Sequence, residues 1–306
     1  MIGGAVLLLL LLGAIAAPWL TPYDYARQNR RAMFSAPSFS VPDDPALVGQ
    51  CVRPRLLWWR CGAHPFGTDD LGRDILARVL QGGRVSLLVG FVAAIVSTLI
   101  GGLVGALAGY WGRLPDAIAS RFIEIMLSIP QLPLLLILVG LLANPQVKFA
   151  ATLSTLLGGS KSIVVIVVVI IALSWMSTAR LVRGQILSLR EREFVEAARA
   201  VGAPSWRIVF RHLLPNAASV MIVQATLMTG EAILIESGLS FLGLGIQPPA
   251  VSWGNMLSRA QEFLYYPNGV YIAFFPGLFI FLTVLCANFV GDGLRDALDP
   301  RYHGRV

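Results

Sequence analysis

The sequence has 306 residues, of which 56% are hydrophobic and 13% charged, and its formal net charge is +7. A mean hydropathy of +0.71 lies well outside the range of ordinary soluble domains. The positive charge requires no nucleic acid partner, because basic residues normally flank membrane spans. The composition therefore indicates an integral membrane protein.

Six stretches have the length and composition of a transmembrane helix, which needs about 20 mostly apolar residues to cross the bilayer. They are 2–20, 86–109, 118–142, 162–180, 216–236 and 269–290. A cleaved signal peptide is the alternative for the first stretch, but it lacks a basic leading region and is long enough to span, so we expect it to be retained. We predict an all-α polytopic membrane protein with six transmembrane helices.

The orientation follows from the lysines and arginines of the short loops, which concentrate on the cytoplasmic side. With the N-terminus inside, the short outer loops hold only Lys148, Lys161 and Arg259. The long outer segment also carries arginines, but loops of that length are partly exempt. We therefore predict that both termini are cytoplasmic. The chain then divides into a first helix at 1–20, an extracytoplasmic segment at 21–85, a five-helix core at 86–290 and a cytoplasmic tail at 291–306.

The extracytoplasmic segment is predicted to end in an amphipathic helix at the membrane surface. Thr68 or Asp69 can cap its start, and apolar residues recur at helical spacing from Leu71 onward. The alternative is a plain lead-in to the second span, with Gly82 and Gly83 as the break.

Cys51 and Cys61 both fall in the extracytoplasmic segment, where oxidising conditions favour a disulfide between them. A metal site that adds His64 is one alternative, but three ligands at this spacing fit no usual zinc pattern. Free thiols are the other alternative. We predict no metal site.

Two spans carry residues that affect helix packing. Gly101, Gly105 and Gly109 share one helical face of the second span and let another helix approach closely. In the third span, Pro130 and Pro133 interrupt the hydrogen-bond ladder, so this helix is expected to bend or unwind. A bend suits the wall of a moving pathway, and a static kink filled by neighbouring helices is an equal alternative.

Polar side chains inside spans are costly and are therefore candidates for function. Those that could line a translocation pathway are Glu124, Gln224, Glu231 and Asn288. Each could equally bond to a neighbouring helix as a structural contact. Glu236 is expected at the outer interface, where it needs no specific role.

The segment 188–216, which we name the charged segment, lies between two apolar spans. Ser188 and Glu191 form a capping-box pattern at its start. The apolar face of the helix that follows is formed by Phe194, Ala198 and Val201. Gly202 ends this helix, and Ser205 can cap a second amphipathic helix.

A helix that presents both charges and an apolar strip at the cytoplasmic surface is suited to docking on a partner. The alternative is a helix that lies on anionic lipid, which needs a more one-sidedly basic polar face than this segment has.

No catalytic constellation is recognisable in the sequence. H-E-x-x-H and G-x-S-x-G are absent, and GGSKS at 158–162 lacks the ending of a phosphate loop. We therefore predict that the chain is not an enzyme and receives energy from a partner or an ion.

Several segments resemble one known family. Glu196-Ala197-Ala198, followed by Gly202 and Leu214-Pro215, is similar to the EAA loop of membrane permease subunits of binding-protein-dependent ABC importers. Five further matches narrow the resemblance to the dipeptide, oligopeptide and nickel class, and most closely to the second permease of peptide systems. They are HPFGTDDLGRD, REREFVEAARAVGA, FRHLLPN, ESGLSFLGLGIQPP with SWGNML, and NFVGDGLRDALDPR.

The resemblance implies a type I ABC importer permease fold, whose EAA loop is a coupling helix that fits a groove on a cytoplasmic ATPase. The residues assigned to this contact are Arg192, Glu193, Phe194, Glu196, Ala197, Ala198, Gly202 and Pro215. The implied partners are a homologous permease in a heterodimer, two ATPases that bind ATP and magnesium, and an extracytoplasmic solute-binding protein, at the bacterial cytoplasmic membrane. No cofactor is expected on this chain itself. Transport by alternating access is expected: closure of the ATPases pulls on the helix at 191–201, and because we expect this helix to be continuous with spans four and five, those spans tilt and open the pathway outward.

The chain departs from the family pattern at two places. His212 stands where the general pattern has isoleucine, and a histidine at this position is usual in the peptide and nickel class. The segment from about 36 to 62 is longer than we expect for that class. We expect di- or oligopeptides as cargo, with nickel or another small solute as the alternative. An ion-coupled carrier or an intramembrane hydrolase is disfavoured, because the sequence shows neither an internal repeat nor a histidine within the spans.

Overall fold

The computed structural model describes residues 2–40, 63–144, 146–157 and 160–298. Within these residues the chain is mostly helical, and strand-like pairing is limited to two isolated bridges. The prediction of an all-α fold is confirmed for this part of the chain.

Twelve α-helices succeed one another along the described residues. They are α1 (Ile2–Ile15), α2 (Ala17–Leu20), α3 (Ile75–Trp111), α4 (Arg113–Ser128), α5 (Gln131–Ala143), α6 (Lys148–Leu157), α7 (Lys161–Leu189), α8 (Glu193–Ala200), α9 (Ser205–Arg207), α10 (Leu214–Phe241), α11 (Trp253–Ala260) and α12 (Val270–Leu298). A π-helical turn, Ile208–Leu213, joins α9 to α10. The α3, α7, α10 and α12 helices form the bundle, with α8 at one end and α11 at the other; we name these the α8 end and the α11 end.

Four helical stretches of the described chain are long and apolar enough to cross a membrane, namely α3, α7, Ser205–Phe241 and α12. A fifth span results if α4 and α5 are counted as one broken helix. The α1 helix is apolar but has only 14 residues, fewer than the about 20 of a full span. The count of six spans therefore stays a prediction.

The second predicted span lies within α3, which begins earlier than expected. Asp74 caps this helix, since its Oδ1 accepts a hydrogen bond from the Ala77 N–H at 2.7 Å. Thr68 and Asp69 cap no helix, so that prediction was wrong. Asp69 instead accepts a hydrogen bond from Arg73 Nε at 2.7 Å, which fixes the loop before α3.

Gly82 and Gly83 lie within α3 and do not break it. The alternative in which these glycines form a break before the second span is therefore wrong. They allow close packing, because a Cβ on Gly83 would lie 2.9 Å from the Trp253 ring. The indole Nε1 of Trp253 donates a hydrogen bond to the Val79 carbonyl at 2.8 Å. The glycines and the tryptophan therefore join α3 to α11.

The stripe of glycines farther along α3 packs against α7. A Cβ on Gly101 would lie 2.4 Å from the Trp175 carbonyl oxygen, and a Cβ on Gly105 would lie 2.4 Å from the Ala179 carbonyl oxygen. Any larger side chain would therefore push the two backbones apart. The predicted close approach of a second helix is confirmed.

The third predicted span is broken between α4 and α5, whose axes meet at 95°. Pro130 lies directly before α5, and Pro133 lies in its first turn, where the missing N–H removes no intrahelical bond. Ser128 Oγ donates to the Ile125 carbonyl at 2.7 Å and so satisfies one carbonyl at the end of α4. The predicted bend is confirmed, and its position is set by Pro130.

Glu236 is fully buried near the α11 end, which contradicts the expectation that it needs no specific role. Its carboxylate accepts hydrogen bonds from Ser240 Oγ at 2.8 Å, from Ser252 Oγ at 2.8 Å and from Ser86 Oγ at 3.2 Å. These serines belong to α10, to the residue that caps α11 and to α3. The expectation was based on position along the span alone and missed that hydroxyls from distant positions converge on this carboxylate.

The loop before α3 carries a cluster of charges at the α11 end. Asp70 lies 3.4 Å from Arg73 and 3.8 Å from Arg259. Burial and the neighbouring Asp69 together raise the pKa of the Asp70 carboxyl above its ordinary value. These ion pairs tie the loop to the residues around α11.

Candidate functional site

The charged segment folds into α8 and α9, bracketed by α7 and α10. Ser188 lies inside α7, and α8 starts after Arg192 without a side-chain cap. Pro204 precedes α9, so Ser205 is its first residue. Both predicted caps were wrong, because α7 continues past Ser188 and Pro204 sets the second helix start.

The α8 helix is attached to the bundle through Val195, which is fully buried. Val195 belongs to an apolar cluster that draws residues from α3, α7, the π-helical turn and α10. The other buried members of this Val195 cluster are Ala106, Val182, Ile186, Ile208, Val209, Leu213 and Ala217. The cluster therefore joins α8 to the π-helical turn and also includes residues of three long helices.

The remaining apolar side chains of the charged segment are largely exposed. Of the predicted apolar face of α8, Phe194 is 40% exposed and Val201 is 89% exposed, whereas Ala198 is half-buried. Trp206 and Phe210 are also more than half exposed. Exposed apolar side chains gathered in one segment mark an interaction surface.

The residues predicted to contact an ATPase lie mostly on the surface of this segment. Ala198 alone among them is half-buried. The exposed ones are Arg192, Glu193, Phe194, Glu196, Ala197, Gly202 and Pro215. The segment thus presents both charges and apolar groups around a single buried anchor.

Gly202 ends α8 with a φ of +80°. Its N–H donates to the Arg199 carbonyl at 2.9 Å, and the Ala203 N–H donates to the Ala198 carbonyl at 3.0 Å, which together form a Schellman motif. No heavy atom lies within 4 Å of the position that a Cβ would take. The prediction that Gly202 ends this helix is confirmed, and the positive φ is the constraint at this glycine.

Polar contacts also tie the α8 end together. Arg183 Nη2 donates a hydrogen bond to Asp116 Oδ2 at 2.8 Å and so connects α7 to α4. The Arg199 guanidinium lies 5.5 Å from the centroid of the Tyr110 ring, a cation–π contact between α8 and α3. The first contact joins two membrane helices beside the charged segment, and the second joins the charged segment itself to α3.

The α8 helix is not continuous with its neighbours. A turn at 190–192 separates it from α7, and a second turn at 201–204 separates it from α9. The α9 helix, by contrast, runs into α10 through the π-helical turn. The expectation that the helix at 191–201 is continuous with its neighbouring spans was therefore wrong, and α8 contacts the bundle through Val195 and Arg199.

The four polar pathway candidates do not form one site. Glu231 is exposed and lines a cavity beside the break between α4 and α5. Glu124 lies 3.4 Å from Arg121, one turn away on the exposed face of α4. Gln224 is half-buried on α10, and Asn288 is exposed on α12.

A cavity of about 370 Å³ lies beside the break between α4 and α5; we name it the Glu231 cavity. Its wall is mostly apolar and comes from α4, α5, α7 and α10. Its polar lining consists of Ser128, Gln131, Ser174, Ser177 and Glu231. Glu231 is the one ionisable side chain among the described residues of this wall.

Sequence reasoning missed Val195 and the serines of the cavity. The spacing of apolar residues could have identified Val195, because it lies three residues before Ala198 and therefore on the same face of the helix. Ser174 and Ser177 have the same spacing in an otherwise apolar span, which is a usable signal for a polar face.

The described residues contain no group of three or more histidine, cysteine or acidic side chains placed to hold a metal ion. His64 instead lies with Nδ1 at 2.8 Å from Asp74 Oδ2 and stacks on Tyr23. Cys51 and Cys61 lie outside the described residues, and their pairing stays a prediction.

Comparison with known proteins assigns the chain to a family. Residues 101–304 match the family described as the binding-protein-dependent transport system inner membrane component. Residues 1–37 match the N-terminal TM domain of oligopeptide transport permease C. Because the first match covers well over half of the chain, this protein belongs to the family of binding-protein-dependent transport system inner membrane components. Members of this family are membrane components that function with the other subunits of an ABC importer.

Individual relatives narrow the comparison. The chain is 39% identical over 296 residues to the oligopeptide transport system permease protein OppC of Haemophilus influenzae, with 97% of this chain and 82% of the relative covered. It is 38% identical over 300 residues to the dipeptide transport system permease protein DppC of Alkalihalophilus pseudofirmus, with 98% and 85% covered.

A solved structure shares the fold. A chain from an inward-facing structure of the MetNI methionine ABC transporter superposes with a TM-score of 0.52 at 21% sequence identity, covering 72% of this chain and 96% of that chain. The predicted type I ABC importer permease fold is thereby confirmed.

Proposed function

We propose that this chain is a permease subunit of an ABC importer for peptides and forms half of the pathway for di- or oligopeptides. The relatives named as oligopeptide and dipeptide permeases support this proposal, because they align over nearly the whole chain. A homologous permease provides the other half of the pathway. Two cytoplasmic ATPases and an extracytoplasmic solute-binding protein complete the importer, and no nucleic acid takes part.

The buried position of Val195 is the observation that carries the proposed mechanism. ATP and magnesium bind to the partner ATPases, whose closure moves the exposed surface of α8. Val195 passes this displacement to α3, α7 and α10, since its cluster includes residues from all three helices. The α7 and α10 helices also form part of the wall of the Glu231 cavity, so their tilt changes access to it.

The α8 end is cytoplasmic in this proposal, and the α11 end is extracytoplasmic. The packing of α1 against α12 supports two termini on one side, since a Cβ on Gly3 would lie 3.1 Å from Phe289 Cβ near the end of α12. The proposed division of the chain at 20, 85 and 290 follows the same orientation. Glu231 is the leading pathway residue, and Glu124, Gln224 and Asn288 remain further candidates.

The first test is purification of the tagged chain from its host in mild detergent, followed by mass spectrometry of the proteins that accompany it. We expect a second permease, one or two P-loop ATPases and a solute-binding protein. A chain that purifies alone, with the charged segment open to protease, would contradict the proposal and favour a self-sufficient carrier.

A variant of Glu196 tests the ATPase contact itself. Glu196→Lys reverses an exposed charge on α8 and should lower recovery of the ATPases by about tenfold or more, because like charges at an interface cost several kcal/mol. The partner permease should still be recovered in full. Glu262→Lys is the matched control, since Glu262 is exposed near the opposite end of the bundle. Equal recovery of ATPases with both variants would contradict the coupling role of α8.

A further inference from the structure

We infer that the Glu231 cavity binds the amino end of a peptide, and that the Glu231 carboxylate accepts the α-ammonium group of the cargo. This inference rests on the proposed function and adds a specific contact to it. It assigns the cavity a ligand class, namely a primary ammonium group attached to a short peptide backbone.

The first observation is the position of Glu231 within an apolar helix. It lies inside the membrane-spanning stretch Ser205–Phe241, where a charged side chain is costly and usually serves a function. Its side chain is exposed rather than packed against another helix. The chain therefore holds a carboxylate at this depth without covering it.

The second observation is that no counter-charge is present. Glu231 makes no hydrogen bond or ion pair with the residues that the structure describes. Three other acidic groups of the described helices do have partners: Glu124 and Asp116 lie beside arginines, and Glu236 accepts three hydroxyl hydrogen bonds. The described residues of the cavity wall include no lysine, arginine or histidine. A cation from outside the chain is therefore the matching partner for this carboxylate.

The third observation is that the rest of the wall suits a peptide. The volume of about 370 Å³ lies within the range of about 300–1,000 Å³ found for small-molecule sites. Ser177 Oγ donates to the Ser174 carbonyl at 3.0 Å, which leaves its oxygen lone pairs able to accept a peptide N–H. The first turn of α5 leaves backbone N–H groups without intrahelical partners, and these can donate to a peptide carbonyl.

The apolar majority of the wall explains tolerance of varied side chains. Met126, Leu134, Leu173 and Met176 offer contacts without directional requirements, and methionine adapts its shape readily. Polar recognition is thus confined to the backbone and to the ammonium group, which all peptides share.

The test compares two cargoes in the complete importer, reconstituted in lipid vesicles with its partner permease, ATPases and solute-binding protein. One cargo is a peptide with a free amino terminus, and the other is the same peptide with its amino terminus acetylated. Both are supplied on saturated solute-binding protein, and each uptake rate is taken relative to the wild-type rate for that cargo. We expect Glu231→Gln to reduce uptake of the free peptide roughly tenfold and uptake of the acetylated peptide at most twofold.

Two further variants make the comparison specific. Glu231→Asp retains the carboxylate and should keep most of the preference for the free amino terminus. Glu262→Gln removes the same charge outside the cavity and should change neither rate. An equal reduction of both cargoes by Glu231→Gln overturns the inference and leaves the proposed function intact. If wild-type vesicles import no peptide in either form, the proposed function and the inference both fail.

Discussion

The two ends of the bundle are organised in opposite ways. At the α11 end, the carboxylate of Glu236 accepts hydrogen bonds from three serines, and the indole of the buried Trp253 donates to the Val79 carbonyl. At the α8 end, Val195 anchors a helix whose other large apolar side chain, Phe194, is exposed. Glu236 and Trp253 at the α11 end therefore find their polar partners within the chain, whereas the α8 end presents groups that a partner can cover.

This difference separates stability from coupling. A buried polar network is costly to leave partly satisfied, so a change at the α11 end should damage the fold of the chain itself. A change on the exposed surface of α8 should spare the isolated chain and reduce function only in the assembled importer. Single substitutions, each measured in the isolated chain and in the complex, can therefore test this difference between the two ends.

The largest effect is expected from Glu236→Ala. The substitution leaves the hydroxyls of Ser86, Ser240 and Ser252 without their acceptor, and it should lower the free energy of unfolding by about 3 kcal/mol or more. Chemical unfolding of the purified chain in detergent measures this loss. Glu262→Ala is the control, because Glu262 is exposed. Equal unfolding midpoints for the two variants would remove the distinction between the two ends.

The next effect concerns the contact of α3 with α7 between the two ends. Gly105→Ala places a methyl group 2.4 Å from the Ala179 carbonyl oxygen, so the helices must separate, at a cost of about 2–3 kcal/mol. Gly184→Ala on α7 is the matched control, because no heavy atom lies within 4 Å of its Cβ position. The same detergent unfolding assay should show a loss for Gly105→Ala and none for Gly184→Ala. Equal stability of both variants would show that the helices do not pack at the glycines.

A smaller loss of stability is expected from Val195→Ala. Removal of two buried methyl groups should cost about 1.6 kcal/mol at about 0.8 kcal/mol each. The effect on the importer should exceed this, since Val195 is the buried contact between α8 and the bundle. We expect ATP hydrolysis to become less dependent on loaded solute-binding protein in reconstituted vesicles. Retention of full dependence would indicate that displacement reaches the bundle by another contact.

The parts of this structure that the sequence predicts are those set by local chemistry. Gly101 and Gly105 predict a close helix approach because they lack side chains, and Pro130 predicts a break because it lacks an N–H. The role of Glu236 was misjudged and that of Val195 was missed, because both depend on residues far away in the chain. The serine partners of Glu236 lie as many as 150 positions from it, and no spacing rule brings them together.

The same limit applies to the candidate site. The charged segment was found from its composition, and Gly202 was found from the turn that it must make. The Glu231 cavity was not found, because it depends on the 95° bend that brings α4 and α5 beside α7 and α10. A polar residue within a span is therefore recognisable from the sequence as a candidate for the translocation pathway. Tertiary packing then determines whether this residue lines a cavity or contacts another side chain.

The smallest effect, and the one that isolates backbone geometry, is expected from Gly202→Ala. No atom lies within 4 Å of the new Cβ, so the cost comes only from the φ of +80° and should be about 1 kcal/mol. Gly184→Ala has equally open space without a positive φ and should cost nothing. In the assembled importer, Gly202→Val should still assemble but lose transport, while Gly202→Asn should retain part of it, because asparagine tolerates this conformation better. Normal uptake by Gly202→Val would show that the angle between α8 and α9 is not what couples the ATPases to the bundle.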